Sequence, residues 1–407
     1  MTGTLINLTI IFCCLQVTSI FAEHQVELYP IYNKSNQHIG YAAKVMIGES
    51  KKEFSLLLDT VTAFLWVFPP SYHQIISREM KTYSERESSF MSDILYQKQT
   101  YGSREVELLD RMDTIMFNLT DASQLHFIRT AFGVVNNLKW SKWDDYQKTD
   151  GVLGLSAFHV DGIPSGVICQ SLYNRSITSN PVKVAVWGYE VYPFVTIALP
   201  PLDSDNKAIL TLGGRNDESC DWNYGTTELL RLNYLKIKPF RSYCETNVSS
   251  SLRNTRFSPL LLDQSGNRYE FEYNSIKMGN VAFPMKSFAY LNTIEPYIGL
   301  PIKFLQKIVN NLNATKVSKT EKKYMIRCEQ PFEPFEISTN HNTYIVPPEH
   351  FIIKHNPDDT LCELAFTVSE RTARADEDAV LLGIPFFHQY CVTLRPHHKH
   401  INFAPII

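Results

Sequence analysis

One stretch constrains this chain more than any other: Phe54-Ser55-Leu56-Leu57-Leu58-Asp59-Thr60-Val61-Thr62-Ala63-Phe64-Leu65-Trp66-Val67. A mostly apolar run ends on a carboxylate, a hydroxyl residue follows at once, and an apolar strand resumes. A charge at the end of a buried strand is costly unless something holds it. Taken alone, Asp59-Thr60 reads as a pair that caps the turn after a strand. The alternative is a carboxylate held there for its chemistry, and the flanks decide between the two.

Those flanks resemble the first active-site loop of the pepsin-like aspartic protease family, hydrophobic-hydrophobic-Asp-Thr-Gly-Ser/Thr-x-x-Leu-Trp-Val. Asp59, Thr60, Thr62, Leu65, Trp66 and Val67 fall on that pattern, and Val61 replaces its glycine. Other motifs follow in the family's order. Tyr41 to Gly48 is similar to the strand that ends in an Ile-Gly turn. Tyr101-Gly102, followed by Asp113-Thr114, has the spacing of the family's flap hairpin. The resemblance makes Tyr101 the flap tyrosine, bonded to the indole of Trp66; a Tyr-Gly turn in any hairpin is the plain alternative. Arg104 and Glu107 stand where the flap has glycines, which implies a stiffer, bulkier tip. Asp150-Gly151-Val152-Leu153-Gly154-Leu155 matches the segment that passes behind the first loop. Residues 166–173 read as a short helix, 182–187 as a strand and 239–265 as an inserted surface loop. Ile209 to Gly214 resembles the opening of the family's second lobe, and Val380 to Cys391 and Ile401 to Pro405 resemble its closing strands.

The second active-site loop falls at Phe288-Ala289-Tyr290-Leu291-Asn292-Thr293-Ile294-Glu295-Pro296, with Pro301 where the family's proline follows and a helical stretch at 304–312. Asn292 occupies the place of the second catalytic aspartate. Thr293 is kept, while Ile294 and Pro296 replace residues that shape the loop. Two carboxylates in contact cannot both ionise, so one keeps a proton; the aspartic-protease dyad is the standard example. Asparagine can hold water and donate a hydrogen bond, but it cannot take a proton at neutral pH. Glu295 is the nearest substitute carboxylate, with a longer side chain and a backbone restricted by Pro296. Asp263 and Asp359 lie in segments with no matching loop pattern.

Residues 5–22 form an apolar run ending Ser19-Ile20-Phe21-Ala22, which reads as a secretory leader cleaved after Ala22, with an uncleaved anchor as the alternative. The resemblance implies a basic propeptide between leader and body, yet residues 23–40 leave little room for one. Of eight cysteines, Cys13 and Cys14 lie in the leader and six remain, an even number that suits an oxidising compartment. By resemblance Cys328 pairs with Cys362. Cys169, Cys220, Cys244 and Cys391 allow three pairings among themselves. Sequons at Asn33, Asn118, Asn174, Asn247 and Asn313 fit a secreted glycoprotein. His397, His398 and His400 read as a solvated turn in preference to a metal patch. A net charge of −3 over 407 residues gives no reason to expect nucleic acid or an anionic membrane as partner.

The resemblance implies a mainly β, bilobed pepsin-like fold with a central cleft under a flap hairpin. After the leader (1–22), the first lobe would be 23–198 and the second 199–407. No cofactor or metal is expected. The site residues are Asp59 and Asn292 at the two catalytic positions, with Thr60, Thr62, Tyr101 and Thr293 around the substrate. The function expected is that of a secreted, monomeric homologue, inactive as a protease, that binds an extended peptide or protein partly through backbone hydrogen bonds. The alternatives are an acid endopeptidase with a degenerate dyad and a remnant whose cleft is filled by Val61 and Ile294.

Overall fold

The apolar run ahead of Asp59 is the strand Lys52–Asp59, buried on both faces. Phe54, Leu56 and Leu58 enter the main core, while Leu57 enters a second cluster with Ala42, Trp66 and Val152. Two buried faces remove the polar alternation that marks a one-sided strand. The computed structural model describes residues 23–62, 64–74, 80–84, 96–101, 104–139, 149–156, 159–160, 163–164, 194–231, 268–317, 323–356, 358–369, 379–395 and 399–407.

A 13-stranded sheet carries the first loop. Its order is Thr226–Leu229, His400–Pro405, Tyr390–Arg395, Val195–Ala198, Ala208–Leu212, His24–Tyr32, His38–Ile47, Lys52–Asp59, Gly151–Gly154, Trp66–Val67, Gln124–Lys139, Arg104–Asn118 and Tyr96–Tyr101. Strands from both ends of the chain therefore share one sheet. A seven-stranded sheet carries the second loop, in the order Thr343–Val346, Phe335–Ser338, Glu270–Met278, Val281–Leu291, Val380–Leu382, Ile298–Leu300 and Phe366–Val368.

The same pairing pattern occurs in both sheets. Lys52–Asp59 pairs antiparallel with His38–Ile47 and parallel with Gly151–Gly154, which pairs antiparallel with Trp66–Val67, which pairs parallel with Gln124–Lys139. Val281–Leu291 pairs antiparallel with Glu270–Met278 and parallel with Val380–Leu382, which pairs antiparallel with Ile298–Leu300, which pairs parallel with Phe366–Val368. The fold is the mainly β, pepsin-like one that the motifs imply, with each half ending its central strand at a loop residue, Asp59 or Asn292.

Some local expectations change. Residues 23–40 are body and not a polar leader-in: the strand His24–Tyr32 pairs with both Ala208–Leu212 and His38–Ile47, and buries Val26, Leu28 and Ile31. The polar residues between them face outward, which hid the strand. The segment after Gly383 turns into a short helix, Ile384–Gln389, before the strand resumes at Tyr390. Helix Ile302–Asn311 follows Pro301 as expected and buries Phe304, Leu305 and Ile308. It stops at Asn313, whose φ of 51° is the left-handed conformation that asparagine tolerates after a helix.

Cys328 bonds to Cys362, as the resemblance implies, and Cys220 bonds to Cys391, which selects among the open pairings. The leader, the helix expected at 166–173, the strand at 182–187, the insertion at 239–265, and Cys169, Cys244, Asn174, Asn247, Asp263, His397 and His398 lie outside the described residues. No described helix is long and apolar enough to cross a membrane.

Candidate active site

Each loop is built by a strand end, a neighbouring parallel strand and a glycine that lets the chain pass behind it. At the first, Asp59 lies beside Gly154, and Leu155 N donates to Asp59 O at 2.8 Å. A Cβ on Gly154 would stand 2.5 Å from Phe64 O and 2.6 Å from Thr62 O, so only glycine admits the crossing backbone. At the second, Asn292 N donates to Leu382 O at 3.0 Å, and a Cβ on Gly383 would stand 2.1 Å from Tyr297 O and 2.3 Å from Glu295 O. The returning amides match too: Ser156 N donates to Thr62 O at 2.8 Å and Ile384 N to Glu295 O at 2.9 Å.

The two key side chains are held in one way. Val61 N donates to Asp59 Oδ1 at 2.7 Å, and Ile294 N donates to Asn292 Oδ1 at 3.0 Å. Asp59 is 0% exposed and Asn292 8%. With its Oδ1 taken by a backbone amide, Asn292 has Nδ2, a donor, as its other polar end. An aspartate in this place would offer an acceptor or a shared proton there.

Thr60 and Thr293 lock the loops together. Thr60 N donates to Thr293 Oγ1 at 3.1 Å and Thr293 N to Thr60 Oγ1 at 3.2 Å; in turn Thr293 Oγ1 donates to Leu58 O at 2.8 Å and Thr60 Oγ1 to Leu291 O at 3.3 Å. Each hydroxyl thus accepts once and donates once across a sequence separation of more than 230 residues. Both residues are wholly buried and Thr62 nearly so. These three threonines, expected around the substrate, lie beneath the loop surface. Thr62 Oγ1 forms no hydrogen bond among the described residues. Tyr269 adds another tie between the halves, donating from its hydroxyl to Leu155 O at 2.8 Å.

Ile294, which replaces a small loop residue, is 3% exposed and packs into the first half's second cluster with Ile39, Leu57, Trp66 and Phe68; Val61 packs against the same cluster half-buried. The flap hairpin exists in the backbone: Tyr96–Tyr101 pairs antiparallel with Arg104–Asn118, and Tyr101 faces Arg104 at the turn. The side chain of Tyr101, and so its expected bond to Trp66, lies outside the described residues. Trp66 itself is fully buried and meets Phe68 edge-on at 5.4 Å. Asp359 accepts from Asn356 N at 2.9 Å in an exposed turn. Glu295 is half-buried, and its charge adds to the pressure that keeps the Tyr297 phenol protonated.

A polar group that sequence reasoning missed braces the second loop. Tyr297 donates to Glu363 Oε1; Gln37 Nε2 reaches the Tyr297 hydroxyl at 2.8 Å and Glu363 Oε1 at 3.3 Å. Lys323 Nζ and His355 Nε2 stand 3.5 Å and 2.8 Å from Glu363 Oε2. Burial, then the Glu363 charge, pushes the Tyr297 phenol well above the usual range. The available signal was Glu363 itself, a lone charge inside the apolar Leu361-Cys362-Glu363-Leu364-Ala365-Phe366.

The chain matches the family described as eukaryotic aspartyl protease over residues 40–188 and 248–406. It is also 23% identical to aspartic protease 6 of Caenorhabditis elegans over 367 residues, covering 90% of this chain and 81% of that protein.

Proposed function

This chain belongs to the eukaryotic aspartyl protease family, and from that premise we propose that it is a secreted, peptide- or protein-binding member that no longer cleaves its ligand. The observation that carries the reading is the placing of Asn292. Its Oδ1 accepts the amide two residues on, as Asp59 Oδ1 does, so an amide stands at the position equivalent to the carboxylate. In a working pair the ionised partner draws a proton from water while the protonated partner donates to the scissile carbonyl. Asp59 can still accept a proton from water. Asn292 can still donate a hydrogen bond from Nδ2, but it cannot share or relay a proton. Loss of one positioned acid or base costs about 10² to 10⁴ in rate, and more inside a pair that acts as a unit.

The remaining frame supports binding. The loops stay locked by Thr60 and Thr293, and the backbone of the flap hairpin is formed. The disulfides Cys220–Cys391 and Cys328–Cys362, the apolar leader and the exposed sequon residues Asn118 and Asn313 support passage through an oxidising compartment. One observation favours the remnant reading instead: Ile294 and Val61 bring branched side chains where small residues belong.

Cleavage of a denatured protein between pH 3 and 6 tests all three readings, with wild type, Asn292→Asp and Asp59→Ala compared. The expected result is a silent wild type and an active Asn292→Asp. Wild-type turnover that Asp59→Ala abolishes would refute the inactive reading and direct attention to Glu295. Silence from all three, joined to no binding of peptides, would favour the remnant.

A further inference from the structure

The strand Val281–Leu291 delivers Asn292, and its face turned away from the main core carries Phe288, Tyr290 and then Asn292 at alternate positions, with Tyr290 and Asn292 buried. Leu291, between them, points into the main core. Two arginines lie along that face. The guanidinium of Arg231 stacks on Phe288 at 3.8 Å from the ring centre, and that of Arg268 on Tyr290 at 4.6 Å. The pairing of Glu270 with Tyr290, continued by the bond from Leu291 N to Tyr269 O, sets Arg268 opposite Asn292. Residues opposed in this way keep their Cβ atoms about 5 Å apart.

Arg231 is exposed and needs no partner. Arg268 is only 8% exposed, yet its side chain makes no ion pair and no hydrogen bond with any described residue. Two carboxylates share its face: Glu272, paired with Lys286 at 2.8 Å, and Glu270, opposite Tyr290. Neither forms an ion pair with Arg268 among the described residues. A buried cation without an anion is costly. The Tyr290 ring offsets part of that cost through one flat side of the guanidinium. The edges carry five N–H groups in a planar fork, which matches a carboxylate.

We propose that Arg268, braced on Tyr290 beside Asn292, is a subsite that selects a carboxylate in the peptide occupying the cleft. The inference rests on the peptide-binding reading. It assigns the ligand an acidic side chain or a free C-terminus at the position that meets Arg268.

The test uses the full mature chain and three mixed octapeptide pools, read by equilibrium binding. One carries a glutamate stepped along the peptide with an amidated C-terminus. The second is its glutamine counterpart, also amidated. The third is the glutamine pool with a free C-terminal carboxylate. Wild type is expected to favour one of the two acidic pools over the amidated glutamine pool by about tenfold, the ratio that ~1.4 kcal/mol produces; which pool is favoured identifies the source of the carboxylate. Arg268→Gln should lose that preference while still binding the neutral pool, and Arg268→Lys, which keeps the charge without the fork, should retain part of it. Wild type that binds all pools equally, or an Arg268→Gln protein that keeps the preference, overturns this inference and leaves peptide binding standing. Wild type that binds no pool overturns the peptide-binding reading and this inference with it.

Discussion

The lock between the loops is open to a direct test, Thr293→Val. Valine copies threonine's shape, so the change removes the hydroxyl and little else. Two bonds go: the 2.8 Å donation to Leu58 O and the 3.1 Å acceptance from Thr60 N. Both backbone groups stay buried, and each buried polar group left unpaired costs about 1–3 kcal/mol. The expected loss is therefore roughly 2–6 kcal/mol, a large share of the ~5–15 kcal/mol that typically holds a fold. Thr60→Val breaks bonds of 3.2 and 3.3 Å, which are longer, and should cost less. Thr293→Ser keeps the hydroxyl and drops one methyl, worth about 0.8 kcal/mol. Urea unfolding followed by the fluorescence of the five tryptophans reads all three, through the midpoint at constant slope. A valine variant within about 0.5 kcal/mol of wild type, or a serine variant as damaged as valine, would refute the argument that these hydroxyls join the halves.

Gly383→Ala should destabilise by several kcal/mol, since its Cβ would meet two backbone oxygens that no rotamer can move; a variant with wild-type unfolding midpoint would show that the loop backbone yields easily. The pH dependence follows from a buried histidine cluster, in which the ring of His388 stacks on His38 at 6.0 Å and meets His350 edge-on at 5.9 Å, with Tyr41 at its Nε2. Burial lowers His38 from 6.5 to about 4, and lowers His350 and, more strongly, His388, against which Glu349 and Asp203 pull only His350 upward. The neutral forms belong to the folded state, so the unfolded chain takes up protons first: stability is full above pH 6.5 and falls as pH drops toward 4. Urea midpoints measured from pH 7 to 4 should fall, and fall less steeply in His38→Asn; a flat wild-type profile would refute it.

Much of the site was legible because it is built from local rules. A strand buried on both faces needs a continuous apolar run, so Leu56 to Leu58 announced the strand under Asp59. A backbone crossing that would leave a Cβ only 2.5 Å from Phe64 O needs glycine, so Gly154 marked the crossing. The strand His24–Tyr32 was missed because its outward residues are polar, it contains Pro30, and one of its two partners, Ala208–Leu212, lies far along the chain.

The sequence alone determined that two apolar strands end at Asp59 and Asn292, and that one of the two is an amide and cannot carry a proton. Those are properties of residue type and near neighbours. Only the tertiary structure decided that Thr60 and Thr293 satisfy each other, that Ile294 lies in the other half's cluster, that Gln37 and Glu363 brace Tyr297, that Cys220 pairs with Cys391 and that Arg268, opposite Asn292, makes no ion pair with a carboxylate among the described residues. Each of these joins groups far apart in the chain. A hydroxyl, a carboxylate or a thiol carries no local mark of which distant group the docking of two halves will bring within 3 Å of it, because that distance is set by the packing of the whole core between them.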